Sequence, residues 1–516
     1  MSDALNTYLI VLMSALLGCT LIAAGAALVK FSTFFGRLSV IQKAFFALVL
    51  LAGFWLRFSY FPQSIQVFYD EYGFYNTARM IADDGKVQMC AGGTLENCEE
   101  TETPFQLPGY PFAVAAAMKA TDSRSPETAF RLNAVLGTFA ILLVFTLVMA
   151  GSGNPVAAIF SALLAAFLPL GLYLSGCGSY EMLSFTVVCT FFIFLILFLK
   201  ERTILHGVLL FVTAAEALML REENLLLVPF AVAVLAAGRP GLKAVILSAV
   251  SAAALAAVLL PVYPILADHL NVYNRYVGLH AGENRLLIAA QNVKFFCSNE
   301  KIPFPFILLA LLGSARGRGE KRFSFIMAAF AVAMFVFWNA IRMEFWHADF
   351  PRRAFTMLLP VLVLGGFGME KLLSGIESGL LRALLFLALL GSFAAAAAGT
   401  AANPMNPRLA EQDKMMRMYI SQTDPECSFF SIYPSITMAV VPNRSYHYRK
   451  LFDKNFLEEH KECRLLLLDS ELASPRFSGD LDFLLRGFFF YPIHQVSLVR
   501  DKVEIIQLKE GSSFGK

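Results

Sequence analysis

The sequence predicts a polytopic α-helical membrane protein of about 12 transmembrane helices. Amphipathic helices are expected in its first large outer loop, and a small α/β extracytoplasmic domain at its C-terminal end. Three observations predict this. Of 516 residues, 57% are hydrophobic and only 16% charged, and mean hydropathy is +0.61, whereas globular chains are about 45–50% apolar and about 25% charged. Runs of about 20 apolar residues recur, each long enough to cross about 30 Å of hydrocarbon, without the period-2 alternation of barrel strands. After Asn403-Pro404 the composition becomes that of an ordinary soluble domain.

Twelve candidate spans lie near 7–29, 44–60, 129–150, 155–174, 180–199, 204–220, 225–237, 244–264, 302–313, 323–341, 354–370 and 383–401. The first has no basic residue before it and no small-residue cleavage site, so it reads as a retained span. One alternating set of loops is short and basic, with Lys30, Arg37, Lys43, Lys200, Arg202, Arg239, Lys243, Arg316, Arg318, Lys321, Arg322, Lys371 and Arg382. Lys and Arg accumulate in cytoplasmic loops, so this set faces inward. The N-terminus, the segments 61–128, 265–301 and 342–353, and the tail 402–516 then face outward. Two units follow: a transmembrane module over 1–402 and a soluble domain over 403–516. A net charge of +3 over this length carries no nucleic-acid footprint, and no nucleic-acid partner is expected.

Within 61–128, residues 72–84 read as a helix with Phe74, Ala78 and Ile81 on one face. A Gly/Cys/Glu-rich excursion over 85–103 follows, then the turn-rich Pro104-Phe105-Gln106-Leu107-Pro108-Gly109-Tyr110-Pro111 before apolar 112–118. Amphipathic helices of this kind lie along a membrane surface. In the tail, 410–421 and 455–461 read as helices and 428–433 and 464–468 as strands. A final hairpin pairs 495–499 with 503–508. The eight cysteines form no metal pattern. Cys90 with Cys98 and Cys427 with Cys463 can be disulfides in an oxidising compartment or remain free thiols.

Asp70-Glu71 sit just past an apolar run, where carboxylates are costly unless they bind or react. A partly desolvated carboxylate suits a general base. The plainer reading is a cap for the helix that follows. Adjacent helical residues point about 100° apart, so one of the pair is the base; Asp70 is favoured, with Glu71 supporting or ligating. Arg57, Arg131, Arg221, Lys294, His347, Arg352 and Arg353 are outward cations able to hold a phosphate, or to snorkel to headgroups. Glu181, Glu216, Glu222 and Glu223 lie at outer span ends, where structural pairing with Arg57, Arg131 or Arg221 is the simpler reading. The acidic run 96–102 reads as a solvated face. Tyr75, Tyr110, Glu181 and His280 are further candidates for substrate binding. No cofactor is required; a divalent cation on Asp70 or Glu71 is an option.

In order and spacing these motifs resemble the GT-C superfamily of membrane glycosyltransferases, in particular the aminoarabinose transferase and protein O-mannosyltransferase branch. The resemblance runs over about residues 44–375. It is carried by Asp70-Glu71 followed by Tyr75 and Ala78, by Gln106-Leu107-Pro108-Gly109-Tyr110-Pro111, by Arg131-Leu132-Asn133, by Ser179-Tyr180-Glu181-Met182 and Arg221-Glu222, and by the segment 352–360. Two features depart from it: an extra first span, and Gln106-Leu107-Pro108 where aminoarabinose transferases carry lysine-proline-proline. The resemblance implies transfer of a sugar from a polyprenyl-phosphate carrier to a glycan, lipid or protein acceptor at the outer face of a bacterial inner membrane, with the family's base falling on Asp70. The alternative from another class is a multi-span transporter or flippase of a lipid-linked or anionic substrate.

Overall fold

The computed structural model describes residues 3–64, 70–104, 107–237, 285–298, 302–314, 321–340, 350–402, 426–431, 438, 443–459, 463–468, 488–497 and 502–510. The expected span at 244–264, the expected helix at 410–421, His280 and His347 lie outside them.

Helices dominate. α1 (Asp3–Gly36) and α2 (Val40–Trp55) are followed by a π-helical turn (Leu56–Tyr60), α3 (Asp70–Asp84), strands β1 (Met89–Gly93) and β2 (Cys98–Glu102), and α4 (Gly109–Thr121). Then come α5 (Glu127–Ser152), α6 (Pro155–Phe167), α7 (Pro169–Ser175), α8 (Glu181–Glu201), α9 (Ile204–Leu220), a 3-10 turn (Glu222–Leu226) and α10 (Leu227–Ala237). Beyond the next gap lie α11 (Arg285–Ser298), α12 (Phe304–Ser314), α13 (Lys321–Ala340), a 3-10 segment (Phe350–Met357), α14 (Leu358–Ser374) and α15 (Gly379–Ala402).

Among the described residues seven helices are long and apolar enough to cross a membrane, and an eighth span results if α6 and α7 count as one. The remaining expected spans are shorter apolar helices or lie outside the described residues, so the count of twelve is not reproduced. Helix starts follow local chemistry. Ser39 and Gln42 form a reciprocal capping box at α2, and Asn154 caps α6 ahead of Pro155. α8 is buried along nearly its whole span, while α15 is mostly uncovered. Small residues allow close helix crossings: a Cβ on Gly368 of α14 would lie 1.8 Å from the Leu309 carbonyl oxygen of α12.

The described strands form one sheet. The tail supplies β3 (Ser428–Ser431), β4 (Ser445–His447), β5 (Arg464–Leu468), β6 (Phe488–Ser497) and β7 (Lys502–Glu510), with a short helix α16 (Lys454–Glu459). The strand order is β2-β1-β4-β3-β5-β7-β6. β3 runs parallel to β4 and β5, with Phe429 opposite both Ser445 and Leu465. The final hairpin is longer than expected at both strands. The excursion over 85–103 is therefore the edge hairpin of the tail's sheet, joined where Gly93 pairs with Ser445. Both cysteine pairs, Cys90–Cys98 and Cys427–Cys463, are disulfides.

This joint revises the solvated reading of the acidic run. Tyr446, fully buried, donates its hydroxyl to Glu99 at 2.6 Å; Arg444 faces Glu99 at 3.6 Å, and Lys450 faces Glu100 at 2.5 Å. Removing the hydroxyl with Tyr446→Phe forfeits a charge-assisted bond worth about 1–2 kcal/mol. Faster amide exchange in β1 and β2, read by mass spectrometry, is the expected outcome; unchanged exchange would show that the carboxylate does not hold the joint. The hairpin is in turn fixed to α3, because Asn76 exchanges two hydrogen bonds with the Cys90 backbone at 2.8 and 3.0 Å. α3 is buried from Glu71 to Ala82, not on one face only, since α4, the hairpin and the turn 176–180 pack around it.

Candidate functional site

The site begins with a broken helix. Pro169 lacks an N–H and its ring crowds the carbonyl four residues back, so α6 and α7 meet at a 58° bend. The carbonyls of Ala165 and Ala166 lose their helical donors there. Arg57 supplies new ones: Nη2 donates to Ala165 O at 3.1 Å and Nη1 to Ala166 O at 3.2 Å and to Gly53 O at 3.0 Å. Nε reaches Ser175 Oγ at 3.2 Å. The side chain is 2% exposed. Gly137 leaves it room, since a Cβ there would lie 2.7 Å from Nε. Expected as a phosphate ligand, Arg57 has its donors committed to the bend. Arg57→Met keeps the apolar stem but orphans two buried carbonyls, a loss of about 2–5 kcal/mol. Thermal unfolding in detergent at a clearly lower temperature is the expected reading, and an unchanged midpoint would contradict the assignment.

The bend carries the turn 176–180, and this turn meets the start of α3. Asp70 and Glu71 occupy the first turn of α3, where the helix dipole favours negative charge. Their side chains diverge. Glu71, 1% exposed, accepts the Gly178 N–H on Oε2 at 2.6 Å. Asp70 Oδ2 meets Arg352 Nη2 at 2.6 Å. Arg352 rides on the 3-10 segment before α14 and also faces Glu181 at 3.6 Å through Nη1. Its carbonyl accepts from Arg221 Nη1 at 3.4 Å, and Arg221 pairs with Glu223.

Tyr180 lies between the two guanidiniums. Arg221 sits 5.0 Å and Arg352 5.8 Å from its ring centroid, within cation–π range. Burial pushes the Tyr180 phenol up to about 12 against the pull of both arginines, so the ring stays neutral. Burial likewise raises the Glu223 carboxyl, and Arg221 opposes it. Phe74 of α3 stands edge-on to Tyr180 and Tyr110, at 5.0 and 5.2 Å. Behind them Asn133 donates to Tyr110 Oη at 3.1 Å, to Cys177 O at 2.6 Å and to Ser179 O at 2.7 Å. That network shapes the turn on which Gly178 and Tyr180 are presented.

Of the four carboxylates gathered here, Glu71, Glu181 and Glu223 are sealed, while the Asp70 side chain is 19% exposed. Only Asp70 is open to an incoming group. The structure thus brings together Asp70, Glu71, Tyr110, Glu181, Arg221 and Arg352. Arg353 is next to them, half-buried over Trp338 at 5.9 Å. The others lie apart. Tyr75 of α3 donates to Arg124 O at 2.6 Å. Arg131 and Lys294 are exposed on α5 and α11. Tyr180, Asn133 and Gly178 were not singled out from the sequence as site residues. The dense run Gly-Cys-Gly-Ser-Tyr-Glu at 176–181 is the signal that marks them. Among the described residues no group of three or more His, Cys, Asp or Glu is placed to hold a metal ion.

No family model and no curated protein matches the chain. Solved structures do. ArnT of Cupriavidus metallidurans bound to undecaprenyl phosphate superposes with a TM-score of 0.57 at 14% identity, covering 90% of this chain and 97% of that one. The Archaeoglobus fulgidus oligosaccharyltransferase with Zn and sulfate gives 0.56 at 14%, covering 87% and 72%. The mycobacterial arabinofuranosyltransferase AftD gives 0.50 at 14%, covering 91% of this chain and 42% of that one. These neighbours are GT-C glycosyltransferases, and the fold of this chain is theirs.

Proposed function

We propose that the protein is an inverting glycosyltransferase that moves a sugar from a polyprenyl-phosphate carrier to an acceptor at the outer face of the membrane. The observation that carries the reading is Asp70: the one open carboxylate of the cluster, gripped by Arg352 at 2.6 Å, in a fold shared with an enzyme solved on undecaprenyl phosphate. The acceptor is a glycan, lipid or protein, and the archaeal neighbour was also solved with a tethered acceptor peptide. A bacterial inner membrane is the setting proposed, with the cluster and the tail 403–516 outside.

In this reading the acceptor oxygen attacks the anomeric carbon from the face opposite the carrier. Asp70 takes the acceptor proton as the new C–O bond forms, which is the one base an inverting displacement needs. The bond to the carrier's phosphate oxygen breaks, and polyprenyl phosphate leaves with the bonding pair. Arg352 and Arg221, both buried, and the half-buried Arg353 supply the positive field for that charge. Glu71 and Glu181 hold the turn and Arg352 in position. The oligosaccharyltransferase was solved with Zn; here Asp70 and Glu71 turn to different partners, and their described geometry does not fit a shared cation.

The test is transfer by the reconstituted full chain, offered polyprenyl-phosphate-linked sugars and, separately, the same sugars on nucleotides. Turnover with the lipid donor that disappears in Asp70→Asn is the expected result. Binding of such lipids without turnover in wild type would sink the reading.

A further inference from the structure

A cleft lies away from the Asp70 cluster, at the other end of α14. The start of α2, the start of α6, the end of α14 and the start of α15 lie together there and leave a cleft of about 380 Å³, within the usual range for ligand sites. Phe45, Val156, Phe160, Leu373 and Phe386 wall it, and Gln42 and Arg382 are its polar members. The cleft persists because α15 is held loosely: Phe386 touches Phe45 and Phe160 at centroid distances of 5.9 and 6.2 Å, while little of its span is covered. So apolar a space suits hydrocarbon better than water.

Arg382 is the cation of the cleft. One N–H donates to Ile376 O at 2.6 Å and fixes the fork; its remaining donors have no protein partner among the described residues. At this end of α1, α2, α14 and α15 the cations Arg37, Lys43, Lys371 and Arg382 outnumber the carboxylates Glu370 and Glu377. Basic pockets between membrane helices on the inward side suit anionic lipid headgroups. We propose that this cleft binds an anionic phospholipid of the inner leaflet, one acyl chain against Phe45, Phe160 and Phe386 and the phosphate on Arg382. The sugar donor is a poor candidate for the same place. Its phosphate belongs with Arg352, and the 17 residues of α14 set that site apart by about 25 Å. The proposal stands whether or not the chain is a glycosyltransferase.

Native mass spectrometry of the full chain in detergent tests it, with phosphatidylglycerol and phosphatidylcholine of identical acyl chains and with undecaprenyl phosphate as probes. Wild type is expected to retain phosphatidylglycerol over phosphatidylcholine by about tenfold, one charge-assisted contact's worth. Arg382→Gln should erase that preference while leaving gel-filtration behaviour unchanged, and Ala383→Phe, which fills the cleft, should lower retention of both phospholipids. Equal retention of the two by wild type, a preference that survives Arg382→Gln, or a loss of undecaprenyl phosphate rather than of the two phospholipids in Ala383→Phe would overturn it.

Discussion

Asp70→Asn is expected to lower the rate of sugar transfer by about 10²–10⁴-fold, the usual contribution of a positioned general base. The substitution is close to isosteric. The amide oxygen can still accept from Arg352, which lies 2.6 Å from Oδ2, but it cannot take a proton. Arg352 also keeps Glu181 at 3.6 Å, so its buried charge is not abandoned, and the stability loss should stay within about 1–3 kcal/mol. Donor binding should change far less than the rate. Glu71→Gln is the companion variant: it retains an acceptor for the Gly178 N–H, now 2.6 Å from Oε2, and should stay within about tenfold of wild type. Single-turnover rates and donor affinity, measured on both, separate the roles. A rate that survives Asp70→Asn, or one lost equally in Glu71→Gln, would remove Asp70 from the role of base.

Much of the frame is legible in the sequence because it depends on local chemistry. Apolar runs near 7–29, 129–150, 180–199 and 383–401 become α1, α5, α8 and α15 because hydrocarbon length and backbone satisfaction leave a chain few options. Strand 464–468 is found at its observed bounds. The pairings across the fold are a different matter. Asp70 and Arg352 are 282 residues apart. Both read as outward-facing, yet no sequence period sets one against the other. Arg57 is the instructive case. A cation at the end of a span looks the same whether it waits for a phosphate or satisfies carbonyls. The deciding clue was Pro169, inside a run read as one continuous span. The acidic stretch 96–102 misleads for a similar reason: its partners Tyr446 and Lys450 lie about 350 residues away, and a charged edge strand is indistinguishable from a solvated loop until its partner is placed.

Arg352 should tolerate substitution least, because four contacts converge on it. Nη2 meets Asp70, Nη1 faces Glu181, the guanidinium lies over Tyr180, and the backbone carbonyl receives Arg221. At 2% exposure none of these is replaced by water. Arg352→Gln strips the positive charge from between two carboxylates, one of them fully sealed. Breaking a buried ion pair from one side costs about 3–5 kcal/mol, so thermal unfolding should drop by many degrees and transfer should disappear with it. Arg352→Lys separates the roles. A single ammonium neutralises charge but cannot fork toward Asp70 and Glu181 together. It should recover most of the stability while transfer and donor affinity each remain at least about tenfold down. If lysine restores transfer along with stability, the fork has no part in holding the donor phosphate, and Arg352 serves only to keep the cluster's carboxylates in place.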